Sequence, residues 1–188
     1  MESARRHMSS RQAVTVQRLV EAALEELRER GYGDLTLRNV ARRAGVAPAT
    51  AYTHFASREH LITELFWRRL SALPETSIDG RMGASVRASA TLGDIALLVA
   101  DEPELAEACT VAMLAANPDV KVLRDRIGLE MNRRLVVALG DDSDPAVLRA
   151  LELALSGAMV KAGMGHLSYA DLPSLLAEVT DLVMREPR

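Results

Sequence analysis

A single cysteine, Cys109, occurs among the 188 residues of the chain. An intramolecular disulfide is therefore excluded, and with it the stapled class of small secreted domains. Aromatic residues amount to 3% of the chain. The Val, Ile, Thr and aromatic enrichment of strands is missing, and no period-two run stands between turn residues. Ala and Leu dominate instead, which suits helices. The most apolar segment, Leu151 to Met164, is interrupted by Glu152, Ser156 and Lys161. It is shorter than the roughly 20 residues that a membrane-spanning helix needs. The opening stretch MESARRHMSSRQ has basic residues but no apolar run behind it, so no secretory signal is read there, and a cytoplasmic location is expected. Signs of an enzyme are missing as well: there is no nucleophile elbow, phosphate loop or paired-carboxylate constellation. The four histidines and Cys109 lack metal-ligand spacing. Neither a cofactor nor a metal is expected.

What is present is an all-α pattern with an apolar content of 48%, enough for a packed core. The net charge of −3 argues against a nucleic-acid partner, but its distribution does not. Residues 1–70 carry 12 Arg and no Lys against 8 acids, whereas residues 71–188 carry 11 basic residues against 18 acids. A basic front joined to an acidic back hints at a binding unit attached to an unrelated one.

Residues 1–12 are polar and read as a disordered tail. A helical period starts at Val14, with Val16, Val20, Ala23, Leu24 and Leu27 on one face. It stops at RERGYG, where Gly31 can take the left-handed cap position. Thr36 is the next start signal, capping a helix to about Ala44. Leu37, Val40, Ala41 and Ala44 form its inner stripe, and Arg38, Arg42 and Arg43 face outward. Gly45 opens a three-residue turn, and Pro48 fits the first turn of a short helix ending near Phe55. Ser57 caps a longer helix whose stripe is Leu61, Ile62, Leu65, Phe66 and Leu70. The stretch LPETSIDGRMG, residues 73–83, reads as a linker or irregular loop. Further helices are predicted over 84–100, 103–115, 119–139, 145–166 and 171–184.

Why should GVAPATAYTHF, residues 45–55, combine glycine, proline, threonines, a tyrosine and a histidine? Two short helices joined by a tight glycine turn make a helix-turn-helix. A helix lying in the major groove needs a face free of bulky apolar groups, with hydroxyls that reach phosphates or base edges. Pro48, Ala49, Thr50, Tyr52, Thr53 and His54 offer such a face, with Phe55 turned into the core. Thr36 adds a helix N-terminus that favours an anion, and Arg38, Arg42 and Arg58 supply charge for the phosphate backbone. His54 also reads as a structural residue closing the turn.

The stretch LTLRNVARRAGVAPATAYTHFASREHLITELF resembles the DNA-binding domain of the TetR family of bacterial repressors. The resemblance rests on the helix ending in RGY, on T-x-x-x-V-A-x-x-A-G-V, on T-x-Y-x-H-F, and on the basic and acidic pair before Leu61. It covers about residues 14–70. Two positions depart from the family pattern: Ala51 stands where Leu, Val or Ile is usual, and Arg58 where Lys is common. The resemblance implies a helix-turn-helix domain over 13–56, a connecting helix over 57–73, and a helical ligand-binding and dimerisation domain over 84–188. It further implies a homodimer on a palindromic operator, with recognition helices about 34–36 Å apart. In that family a small molecule enters the C-terminal domain, moves the fourth helix and releases the DNA. The partners expected are thus double-stranded DNA, a small effector and a second copy of the chain. Two other readings use the same fold: a helical interaction module without DNA binding, and a transcriptional activator.

Beyond the front domain, Trp67, Met113, Met131 and Met159 are candidates for a ligand pocket, since methionine adapts to irregular apolar shapes. Such an interior favours a hydrophobic or amphipathic molecule. The segment from Leu151 to Met164 is apolar nearly all round, and the last helix has more apolar surface than one neighbour needs. Gly157, Val160 and Met164, with Leu175, Val179 and Leu182, are therefore expected in a two-fold, four-helix dimer interface.

Overall fold

The computed structural model describes residues 2–75, 81–140 and 143–185, with side chains from residue 11 onward. The helices are α1 (Glu2–Arg30), α2 (Leu37–Arg43), α3 (Pro48–His54), α4 (Arg58–Ala72), α5 (Ala84–Ala96), α6 (Pro103–Met113), α7 (Pro118–Leu139), α8 (Pro145–Gly163) and α9 (Leu172–Val183). Short 3₁₀ turns follow α5 at Leu97–Val99 and precede α9 at Tyr169–Asp171. No strand occurs among the described residues, in agreement with the all-α expectation.

Local chemistry sets most of the helix starts. Thr36 and Ser57 accept hydrogen bonds from the amides of Asn39 and His60, as N-caps do. Asn117 and Asp144 cap α7 and α8 in the same way, each followed by a proline in the first turn. Gly31 ends α1 with φ 73°, its amide bonded to the Leu27 carbonyl. One expectation is corrected here. The stretch read as a disordered tail is helical from Glu2, because no glycine or proline interrupts the chain before Gly31 and the residues between are mostly good helix formers. Residues 76–80 of the expected linker lie outside the described residues, as do 141–142 of the turn before α8 and 186–188 at the end.

The front unit packs α1, α2, α3 and the start of α4 around Leu19, Ala23, Leu27, Leu37, Val40, Phe55 and Leu61, all buried. The back unit packs α5 against α9 and α7, and α8 against α9 and α6. Helix α4 belongs to both, since it also packs on α6 and α7. It is held at both ends. Near its start, the Asn117 amide of the α7 cap reaches the Ser57 hydroxyl at 3.5 Å. At its finish, the buried Arg134 of α7 donates to the carbonyls of Leu70 (3.2 Å), Leu73 (2.8 Å) and Pro74 (3.1 Å). Arg69 of α4 donates to the Leu98 carbonyl and pairs with Glu102, which Arg28 of α1 also meets at 2.9 Å.

Candidate functional site

Helix α3 buries one residue, Ala51, at 0% exposure. This is one of the two positions where the sequence departs from the pattern it resembles, and its small side chain is what faces the core. Pro48, Ala49, Tyr52 and Thr53 are exposed, and Thr50 and His54 are half-buried. The seven-residue helix therefore turns almost its whole outer surface to solvent. Tyr52 stands out at 58% exposure. Gly45 makes the preceding turn with φ 65°, and Arg18 of α1 pins that turn from behind by donating to the Ala44 carbonyl.

The hydroxyls differ in freedom. Thr53 Oγ1 donates to the Ala49 carbonyl at 2.9 Å, and the exposed Thr36 uses its oxygen as the α2 cap. Thr36, Tyr52, Ser57 and Arg58 line one shallow groove between the starts of α2 and α4. Arg38 and Arg42 are exposed on α2, as expected.

Two other arginines are committed inward. Arg43, read as part of the outward face, meets three carboxylates of α1: Glu26 at 2.7 Å, Glu25 at 3.4 Å and Glu29. Its hydrogen bonds hold Glu29 below the usual carboxylate range. Arg58, expected at the phosphate backbone, donates to the carbonyls of Tyr32, Gly33 and Leu35 at 3.1–3.3 Å. Its guanidinium also lies 4.5 Å from the Tyr32 ring and pairs with Glu59. Burial pushes the Tyr32 phenol up to about 12. Arg58 thus clasps the loop between α1 and α2. The loop carbonyls lack helix or sheet partners, and a guanidinium with five donors satisfies several at once.

In the back unit, α4, α6, α7 and α8 enclose a cavity of about 240 Å³. Met113, Met131 and Met159, the methionines named as candidates for a ligand pocket, line it together with Phe66, Ile127 and Leu155. Trp67 does not. It stands one position from Phe66 on α4, so it points to a different side of the helix, where Arg126 of α7 covers its ring at 4.5 Å. Val160, expected at the dimer interface, contributes to the cavity wall and is 36% exposed. The wall also holds polar groups that sequence reasoning missed: Cys109, Thr110, Arg124, Ser156 and Tyr169. Burial raises the Cys109 thiol to about 12 and also raises Tyr169, so both are neutral near pH 7 and Cys109 is not a reactive thiol. A helical register carried the signal for this wall: Arg124, Ile127, Gly128 and Met131 share one face of α7.

The remaining expected residues lie on an outer face of the back unit. Leu153 (74% exposed), Gly157, Val160 and Met164 (62%) run along one stripe of α8 and its cap. Leu182 of α9 is 63% exposed, while Leu175 and Val179 are half-buried. A Cβ at Gly157 would meet nothing within 4 Å. No group of three or more metal-ligating side chains occurs among the described residues, and no described helix is long and apolar enough to cross a membrane.

Comparison with known proteins fits this geometry. Residues 19–65 match the family described as bacterial regulatory proteins, tetR family. An uncharacterized HTH-type transcriptional regulator of Mycobacterium tuberculosis is 44% identical over 176 residues, covering 93% of this chain and 82% of that one. Among solved structures, a TetR transcriptional regulator from Rhodococcus sp. RHA1 aligns with a TM-score of 0.75 at 22% identity, over 95% of this chain and 99% of the other. Thermus thermophilus FadR, a TetR family transcriptional repressor in complex with lauroyl-CoA, aligns with a TM-score of 0.69 at 16% identity, over 92% and 96%.

Proposed function

Because this chain belongs to the TetR family of bacterial transcriptional regulators, we propose that it is a ligand-responsive repressor that binds a palindromic operator as a cytoplasmic homodimer. It leaves the DNA when a small apolar or amphipathic molecule fills the back-unit cavity. The observation that carries this reading is one helix, α4, shared by the two sites. Its cap Ser57 borders the groove beside Tyr52, and its Phe66 forms part of the cavity wall. A molecule that wedges Phe66 outward tilts α4, and α3 moves with it.

On this reading Thr50, Tyr52 and Thr53 contact phosphates or base edges, and Pro48 and Ala49 allow α3 to approach the major groove closely. Arg38 and Arg42 supply backbone charge, Thr36 offers its helix N-terminus, and His54 closes the turn. The uncovered stripe of Leu153, Gly157, Val160 and Met164, with Leu175, Val179 and Leu182 of α9, is where a second copy docks. The ligand acts by preferring the DNA-incompetent shape, a coupling of about 1–3 kcal/mol. The FadR in complex with lauroyl-CoA supports an effector with an acyl chain.

The test is binding of the purified protein to DNA from its own promoter region at several salt concentrations. Affinity should fall steeply with salt, and replacing Thr50 and Tyr52 together with Ala should weaken it by about 1–3 kcal/mol or more. No binding to any such fragment, or unchanged binding by the double variant, favours an interaction module of the same fold. Activation rather than repression would appear as binding without loss of promoter activity.

A further inference from the structure

We infer that the cavity takes a molecule with an alkyl tail and an anionic head, and that Arg124 is the residue that selects the head. This rests on the reading of the cavity as the effector site. Among the described residues, Arg124 is the only charged side chain in the cavity wall and no carboxylate lines it. Next to the cavity lies an open groove between α7 and α8, lined on both sides by Arg124, Gly128 and Ser156 among others. These three residues belong to cavity and groove alike, so they mark the passage from one to the other. Gly128 and Ser156 are small and exposed, and a Cβ at Gly128 would meet nothing within 4 Å. The passage is open because those two positions carry so little.

Charge decides the sign of the head. Arg124 donates through Nη1 to the carbonyls of Met113 (2.7 Å) and Ala115 (3.4 Å) at the end of α6. Among the described residues no hydrogen bond engages its Nε or Nη2, and no carboxylate pairs with it. Its positive charge is held in place by neutral oxygens and left unbalanced. Of the two acids of the groove, Asp125 pairs with Lys121 at 2.6 Å, and Glu152 accepts from the neutral Asn132 amide at 2.8 Å and keeps its charge; neither lines the cavity itself. A guanidinium with spare in-plane donors is built for a carboxylate or phosphate. Most of the interior behind it, with Ile127, Met131, Leu155 and Met159, is apolar, and its polar groups Cys109, Thr110 and Tyr169 are neutral, so it suits an uncharged tail. A cavity of about 240 Å³ has room for a short hydrocarbon chain, with the head left at the passage.

Calorimetric titration of the whole protein tests this with octanoate, 1-octanol, octyltrimethylammonium and octanoyl-CoA. Octanoate or octanoyl-CoA should bind about ten- to a hundredfold more tightly than octanol. Arg124→Met should bring the anions down to the alcohol's affinity while leaving the alcohol unchanged, and Arg124→Lys should restore part of the difference. Octanoate binding best would place a carboxylate at Arg124; the thioester binding best, with its advantage lost in Arg124→Met, would place a nucleotide phosphate there. Equal binding of octanol and both anions, tighter binding of the ammonium, or an anion preference that survives Arg124→Met overturns the inference and leaves the cavity as the effector site. No binding by any of the four overturns the effector-site reading along with it. Should Arg124→Met fail to fold, the head-group series on the unaltered protein and the Lys variant decide.

Discussion

Arg134 of α7 donates to the Leu73 carbonyl at 2.8 Å, capping α4 where the connecting helix runs out of partners of its own. Three residues earlier on α7, Met131 lines the cavity. One helix therefore carries a cavity-lining side chain and the clasp on the helix that leads to α3. Arg134→Met removes hydrogen bonds from a buried guanidinium to three carbonyls and is expected to cost about 2–4 kcal/mol. Beyond that loss, effector should release operator less well, because α7 and α4 are no longer fastened. A gel-shift titration of effector against bound operator, run well below the variant's melting temperature, checks it. An unchanged release midpoint would show that the clasp is stabilising only.

The front unit was legible because its signals are local. The Thr36 cap, the Gly45 turn and Pro48 in a first turn each act within four residues, and each appears in the structure. The three cavity methionines were picked out by residue type, through the adaptability of the side chain, and not by position. What stayed hidden was the partner of each arginine. Arg43, Arg58 and Arg124 look alike in sequence, yet one meets three acids 14–18 residues back, one meets a loop 23–26 residues back, and one meets the end of the preceding helix. Those choices belong to tertiary packing, which periodicity does not encode. Trp67 was misplaced for the same reason: composition marks it as a pocket residue, and only the rotation of α4 shows that Phe66 takes that place.

Arg58→Ala should behave as a folding lesion. Loss of the carbonyl bonds and of the contact over Tyr32 is expected to lower stability by about 1–2 kcal/mol. Arg38→Ala should leave thermal unfolding unchanged and weaken operator binding instead. Paired calorimetry and DNA titration separate the two; a thermally silent Arg58→Ala that abolishes binding would return Arg58 to the phosphate backbone.

Gly163 and Gly157 lie on one helix with opposite surroundings. A Cβ at Gly163 would come within 1.9 Å of Thr110 Oγ1 and 2.7 Å of Thr110 Cβ, so Gly163→Ala should force α6 and α8 apart at a cost of about 1–3 kcal/mol. Gly157→Arg meets open space within the subunit and should leave the fold intact while blocking the second copy. Sedimentation velocity is expected to show a monomer for Gly157→Arg and a less stable dimer for Gly163→Ala.

Acid should loosen the α7 clasp. Hydrogen bonds from Arg133, then from Arg134, hold Glu130 below its ordinary value of 4.5. A carboxyl depressed in the folded state adds stability that is fully present above its unfolded value and is lost as pH falls through the lower folded one. Thermal stability should therefore decline below about pH 4.5. In Glu130→Gln that part of the decline should be missing, as melting curves between pH 7 and 3 would report. A decline identical in both proteins would assign it to other carboxylates.

The chain has one tryptophan, and it sits under the Arg126 guanidinium with its ring on α4 and its cover on α7. The two helices whose relative movement carries the proposed signal thus meet at the single indole. The protein brings its own optical gauge: any shift of one helix against the other alters the cation over the ring and hence the colour and yield of its emission. Occupancy of the cavity can be followed in the unlabelled protein, in real time and with DNA present.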